Sequence, residues 1–417
     1  MGQDGAKTMK WNTWFKIKKN DHQDSDINSE KINVLFIIIQ MNMGGSERLV
    51  YNLVSKLDCQ VFNPSVAWFF GEKPLQEFLD LGIPLFHIPK SGRFDFSPMR
   101  SLGQIIKKNN IAIVNAHHFF SMVYAFLGAK LKNQIRLIYT EHSVWEVQGI
   151  SQKWRVIGRF LLKHIDHVIG VSPQVTQELK NTFKLPVSKA STILNGVDLE
   201  QFQCGCQNIQ ETRSSLNLKD NEHVIGIVGN FRRVKNHVFL IKTFGNLVKI
   251  LENVKLIIVG RSFPDDPENS EPEVRNMVRE LGIENSILFL GYRSNVRELL
   301  EIMDVFCLTS FKEGLPISLI EAMAAGLPVV GTHVEGIRDV IVPDYNGRLV
   351  ELGDVEALQN SLIDLLKDPD LRKRLGRAAR QTAEEKYSLD RCVAEYEKLF
   401  LSTLPSSERY RLKNFPD

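Results

Sequence analysis

Short, β-rich apolar runs separated by helical patterns recur along this chain, stop once, and start again. In the first half the runs are 33–39, 65–70, 84–88, 111–116, 137–140 and 167–171, with helical candidates at 46–57, 98–108 and 120–130. Runs of this kind, alternating with helices, specify a parallel sheet covered on both faces. Residues 200–222 are polar and aperiodic and read as a linker. The runs resume at 223–229, 255–260, 287–291, 305–309 and 328–331. The expected fold is α/β, with two Rossmann-like, doubly wound domains in tandem at 32–199 and 223–388. Residues 1–31 form a basic, polar tail. Three helical stretches follow residue 355, and 389–417 hold a last helix and a tail.

Composition narrows the function classes. Hydrophobic residues make up 43% and charged residues 24% of the 417, which excludes collagenous, coiled-coil and wholly disordered chains. Apolar runs such as 34–39 fall far short of the roughly 20 residues that span a bilayer, and residues 1–31 lack the apolar core of a secretory signal. Five scattered cysteines (Cys59, Cys204, Cys206, Cys307, Cys392) fit a reducing cytoplasm. Cys204-Gly205-Cys206 has no second pair to complete a tetrahedral zinc site. Net charge is +3, but the first 200 residues are basic and the rest slightly acidic. That asymmetry points to an anionic partner for the first half, a membrane surface or a phosphorylated substrate. No nucleic-acid motif accompanies it.

Ligands of open α/β sheets bind at the carboxyl ends of the strands, so the strand-to-helix loops should carry the chemistry. Gly44-Gly45-Ser46 follows the first strand and opens a helix, where backbone amides can approach a phosphate; a plain glycine turn with Ser46 as cap is the alternative. Gly229 to His237 follows the first strand of the second domain and holds Arg232, Arg233 and Lys235, cations suited to a phosphate. The most informative segment runs from Ser310 to Gly331. Pro316 suits a first helical turn, so the amides of Gly314, Leu315, Ile317 and Ser318 face the cleft and can cap a diphosphate. Glu313 precedes the helix mouth and Glu321 lies over one turn inside. Two carboxylates bracketing an anion site fit a molecule with hydroxyls at both ends and a diphosphate between, as a nucleotide-sugar has.

Glu-x7-Glu within FKEGLPISLIEAMAAGLPVV resembles the signature of retaining glycosyltransferase family 4, of the GT-B fold. MNMGGSERLV, VNAHH, TEHS, ILNGVD, VGNFRRVKNH, FLGYRSNV and YNGRLV follow in the family's order across about 32–400. The resemblance implies transfer of a hexose from a nucleotide-diphosphate sugar, a UDP-sugar rather than a GDP-sugar, to a glycan or lipid-linked acceptor in polysaccharide or glycolipid assembly. It implies that Glu313 contacts the sugar and Glu321 the ribose. Arg232 and Lys235 would neutralise the diphosphate, with Gly45 and Gly229 approaching it. His117 would be the active-site histidine, with His118 one register away. Two places depart from the pattern: the turn Val259-Gly260-Arg261-Ser262-Phe263, where a second glycine is more typical, and Glu335, which stands where a first glycine is usual. An epimerase of the same fold and a non-catalytic nucleotide-sugar binder remain as alternatives.

No Asp-x-Asp ends a strand in the cleft; 24–26 lies in the tail and 368–370 at a helix junction. No metal and no cofactor are therefore expected. Two segments offer themselves to an anionic membrane, with the inner membrane face as the expected peripheral location of a cytoplasmic protein. Residues 7–19 hold five cations and three aromatics without an acid. Residues 150–165 place Trp154, Ile157, Leu161 and Ile165 at helical spacing beside Lys153, Arg155, Arg159 and Lys163; the alternative is that this stripe packs on the first domain.

Overall fold

The computed structural model describes residues 31–41, 44–71, 73–90, 95–130, 135–202, 209–263 and 266–406. The tail segment 7–19 and the Cys204/Cys206 pair lie outside the described residues.

The first sheet contains β1 (Ile32–Gln40), β2 (Phe62–Phe70), β3 (Leu85–His87), β4 (Ile113–His117), β5 (Arg136–Glu141), β6 (His167–Gly170) and β7 (Ala190–Thr192). All pairings are parallel, in the order β3-β2-β1-β4-β5-β6-β7. Its helices are α1 (Gly45–Lys56), α2 (Gln76–Asp80), α3 (Ser97–Lys108), α4 (Phe119–Ala125), α5 (Val144–Gly149), α6 (Gln152–His164) and α7 (Pro173–Phe183). A π-helical turn, Phe126–Lys130, extends α4. β1 shows why the run is continuous: Val34 to Ile38 are all buried, because helices cover both faces.

After α8 (Ile209–Ser215) the second sheet contains β8 (His223–Val228), β9 (Val254–Val259), β10 (Ile287–Gly291), β11 (Val305–Leu308), β12 (Val329–Thr332) and β13 (Gly347–Val350). It is again parallel, in the order β10-β9-β8-β11-β12-β13. α9 (His237–Leu247), α10 (Glu271–Leu281), α11 (Val296–Glu301), α12 (Ile317–Ala324), α13 (Val355–Lys367) and α14 (Pro369–Lys386) surround it. The order reverses between β1 and β4 in one sheet and between β8 and β11 in the other, and ligand crevices open at such switch points.

Three features differ from expectation. β7 and β13 are edge strands of three and four residues, too short to show a pattern. The stretch read as linker contains α8, a seven-residue helix with no buried residue and so no apolar stripe to betray it. The last helix, α15 (Leu389–Thr403), does not stand apart but crosses back to the first sheet. Its Phe400 packs edge-on against Phe36 and Phe62, with ring centroids 6.1 and 6.0 Å apart. Val197 donates to the Tyr387 carbonyl and Leu389 to that of Val197, each at 2.9 Å. The chain thus passes between the sheets twice.

The α6 stripe resolves to the packing alternative. Leu161 and Ile165 are buried, Trp154 and Ile157 are half-buried against the core, and Gly158 lies under Phe183 and Phe119. Among the described residues, no helix is long and apolar enough to cross a membrane.

Candidate active site

The loops after β1, β4, β8 and β11 face one another across a cavity of about 300 Å³. Three contacts close it. Gly314 lies so near the His142 carbonyl that a Cβ would sit 1.8 Å from that oxygen, so only glycine permits the approach. Lys312 places its ammonium over the Trp145 ring, 5.3 Å from the centroid. Tyr292 donates a hydrogen bond to Glu77. Each joins the second sheet's loops to the first domain, so the two halves meet around a cavity that stays half open to solvent.

On the second-domain side, α12 begins at Ile317 with Pro316 as the residue before it, one position later than a proline inside the first turn would require. The first amides of a helix have no acceptor within it, and Gly314, Leu315 and Ile317 all line the cavity. Glu313 is 8% exposed. Its Oε1 accepts from Lys235 Nζ at 2.7 Å and from Ser310 Oγ at 2.5 Å. Lys235 is therefore held by a carboxylate and does not reach freely into the cleft. Arg232 likewise leans on Asp266, Nε to Oδ2 3.2 Å, while half-exposed to the cavity. Glu321 also lines the cavity; burial raises its carboxyl pKa and Arg48, across the cleft, opposes that rise. Gly229 and Gly45 border the cavity.

The two departures from the glycosyltransferase pattern have local reasons. Gly260, which is retained, is the position where space is lacking: a Cβ there would sit 2.0 Å from the Gly229 carbonyl. Arg261 instead extends over the Tyr292 ring, 4.7 Å from the centroid. Glu335 is half-exposed beside Arg338, and only its carbonyl touches the site loop, accepting from Glu313 N at 3.2 Å.

His117 requires a correction. It ends β4 as expected, but it is fully buried and does not face the cavity. Asn115 donates its amide to Thr140 Oγ1, which leaves its Oδ1 to accept from His117 Nε2 at 2.9 Å. His117 Nδ1 then accepts from His142 Nε2 at 2.9 Å. Both nitrogens are taken, and burial holds the ring neutral with its pKa well below the usual value. His118 is the residue that reaches the cleft. Its backbone sits at φ 70°, ψ 152°, a region almost reserved for glycine and one whose strain gathers at functional sites. The imidazole Nδ1 lies 2.7 Å from Glu146 Oε2 and 3.8 Å from Glu141 Oε1. Burial opposes its charging, yet Glu146, Glu141 and Glu47 together raise it to about 9. Burial and Glu146 in turn push the Glu141 carboxyl up to about 8.

Among the described residues, His118, Glu141 and Glu146 are a group whose ligand atoms lie within 4.8 Å of one another. Glu141 is already engaged by the Tyr139 hydroxyl at 2.5 Å and the His142 amide at 2.7 Å. The set therefore works as a partly exposed His118–Glu146 ion pair beside Glu141, whose buried carboxyl is occupied by protein donors.

Sequence reasoning missed Arg48, Glu146, Trp145 and Tyr292, all of which line the cavity. Arg48 sits in the GGSER segment, just beyond the glycines that drew attention. Tyr292 sits inside the FLGYRSNV segment without a charge to mark it, and Trp145 and Glu146 lie just beyond TEHS in no charge cluster or spacing that would have singled them out.

Residues 43–201 match the family described as Glycosyltransferase Family 4, and residues 208–382 match Glycosyl transferases group 1. The N-acetyl-alpha-D-glucosaminyl L-malate synthase of Bacillus anthracis is 28% identical over 75% of this chain and 80% of its own length. An Escherichia coli UDP-Gal:alpha-D-GlcNAc-diphosphoundecaprenol alpha-1,3-galactosyltransferase is 24% identical over 71% of this chain and 78% of its own. The crystal structure of Anabaena HepE in complex with UDP and glucose superposes with a TM-score of 0.78 at 19% identity, covering 89% of this chain and 99% of that one.

Proposed function

We propose, since the chain belongs to glycosyltransferase family 4 and has the GT-B fold, that it transfers a hexose from a UDP-sugar to a glycan or lipid-linked acceptor with retention of anomeric configuration. The observation that carries this reading is the composition of the cavity between the two domains. The amides opening α12, Arg232 and Lys235 supply positive charge for a diphosphate, and Glu313 and Glu321 stand on either side to accept sugar and ribose hydroxyls. The UDP and glucose held by the Anabaena neighbour and the UDP-galactose donor of the Escherichia coli relative support this class of donor.

In this reading the bond from the anomeric carbon to the β-phosphate oxygen breaks, and its electron pair leaves with the diphosphate. Arg232, Lys235 and the helix amides stabilise that developing charge without a metal. The acceptor oxygen bonds to the same face of the sugar, and its proton passes to the departing phosphate oxygen. His118, held charged by Glu146, adds a fixed positive group on the first-domain side. The close approach of Gly314 to His142 draws the domains together at the site, and further closure on the substrates would limit competition from water.

The test is product analysis by NMR with UDP-glucose, UDP-galactose or UDP-N-acetylglucosamine, with and without sugar and lipid-pyrophosphate acceptors. UDP release should depend on the acceptor, and the product should keep the donor's α-configuration. Acceptor-independent interconversion of two nucleotide-sugars would replace this reading with an epimerase. An inverted product would overturn the same-face step.

A further inference from the structure

The cations that line the cavity differ in how far they are already neutralised. Lys235 is held by Glu313 at 2.7 Å, Arg232 by Asp266 at 3.2 Å and His118 by Glu146 at 2.7 Å. Arg48 also lines the cavity, yet among the described residues it has no ion pair and no side-chain hydrogen bond. Arg293 has none either, but it is exposed, where water and salt screen its charge. Arg48 is half-buried and belongs to the first domain. It therefore meets the second domain's anion site from across the cleft with its charge uncompensated.

The placement of Arg48 follows from the turn before it. α1 opens at Gly45, and Glu47 folds back so that its Oε2 accepts from Gly44 N at 3.1 Å. The neighbouring carboxylate is thus engaged in the cap and not with Arg48. Tyr51 lies on the same face of the helix, its ring centroid 5.8 Å from the guanidinium. Phe78 of α2 meets the Tyr51 ring edge-on at 5.6 Å, and Glu77 beside it accepts from Tyr292 of the second domain. Arg48 is shelved on an aromatic pair whose helix is itself tied across the cleft. Its field reaches Glu321 on the far wall, where it opposes the rise that burial imposes on that carboxyl, and it reaches the Tyr292 hydroxyl.

We propose that Arg48 grips the diphosphate of the nucleotide-sugar from the first-domain side and stabilises it as it leaves. This rests on the transfer reading above and adds a group to it. The guanidinium fork matches two phosphate oxygens. Lys235 and Arg232 each share their charge with a carboxylate, so the diphosphate calls for a further cation, and Arg48 is placed to supply it. As the bond from the anomeric carbon to the β-phosphate oxygen breaks, its electron pair moves onto that oxygen, and Arg48 faces the added charge. Because Arg48 stands on the first domain, departure of the diphosphate is tied to the paired arrangement of the two domains.

The test compares Arg48→Gln and Arg48→Lys with the original chain, using UDP in calorimetry, uridine in NMR titration and UDP-sugar turnover at saturating donor. Arg48→Gln should weaken UDP at least about tenfold and leave uridine nearly unchanged, and it should lower kcat as well as raise KM. Arg48→Lys should recover part of each loss, because it restores charge without the fork. Arg48 is half-exposed, so circular dichroism should show both variants folded. The proposal is overturned if Arg48→Gln binds UDP as well as the original chain. It is also overturned if UDP and uridine weaken equally, since Arg48 would then act through Glu321 on the ribose. A higher KM with unchanged kcat would overturn the role in departure. If the original chain binds UDP through Arg48 but transfers no hexose, the transfer reading falls and the diphosphate site stands. If it binds neither UDP nor a UDP-sugar, both fall.

Discussion

Replacing Glu146 by glutamine removes the carboxylate that most directly keeps His118 charged, and the consequence can be worked through in pH. His118 rises from 6.5 to about 9 in the fold. A folded pKa above the unfolded one contributes stability that is complete below about pH 6.5 and disappears as pH climbs through about 9. A displacement of this size corresponds to about 3 kcal/mol. The Glu146 side chain is 42% exposed, and solvent screening of the pair lowers the expected contribution to about 1–2 kcal/mol. Glu141, up to about 8 in the fold, contributes a slope of the same sign, since its neutral form is the one the buried site favours. Glu146→Gln flattens the His118 term, because it removes the charge that raises it most, whereas the Glu141 rise rests first on burial, which the variant keeps. Urea unfolding followed by tryptophan fluorescence between about pH 6.5 and 9 measures the effect. The original chain should lose stability across this window, and Glu146→Gln should start lower and fall less steeply, most clearly above about pH 8 where only the His118 term remains. Two-dimensional NMR of labelled histidine should show His118 titrating well below its original midpoint in the variant. Parallel stability curves for the two proteins, or an unmoved His118 midpoint, would refute the assignment of Glu146 as the group that holds the charge.

Arg232→Ala and Lys235→Ala should each lower turnover at least about tenfold, as expected for loss of a charge-assisted contact to the leaving group. EDTA should leave steady-state rates unchanged; activity lost to chelator and restored by manganese or magnesium would require a metal. Glu321→Ala should weaken UDP and UDP-sugar binding equally in calorimetry, whereas Glu313→Ala should spare UDP and lose discrimination among sugars; equal loss of UDP in both would reverse the two roles. Gly314→Ala places a methyl 1.8 Å from the His142 carbonyl, so it should keep the protein folded but hold the domains apart, seen as a larger radius in small-angle scattering together with lost transfer.

How far the sequence reached depended on how local the deciding physics was. The central strands were legible because burial on both faces writes itself as unbroken apolar runs, as in Val34 to Ile38. The α12 mouth was legible to within one residue because proline favours a helix start, although Pro316 stands just before the helix rather than inside its first turn. Arg232, Lys235 and Glu313 line the cavity as their loop positions predicted, although the pairing of Arg232 with Asp266 and of Lys235 with Glu313 was not legible. The choice between His117 and His118 lay beyond such reading. It turns on the left-handed backbone at residue 118 and on Asn115, Thr140 and His142 saturating the ring of residue 117, partners from two different strands and a loop. The α6 stripe shows the same limit, since helical spacing reveals that a face is apolar but not which neighbour will cover it. α15 carries an apolar face in its sequence, yet only the packed structure assigns that face to Phe36 and Phe62 of the first sheet. Periodicity and backbone preference act over a few residues and can be read along the chain. The pairing of charges, the state of a buried histidine and the partner of a helix depend on contacts between distant segments, and those exist only once the chain has folded.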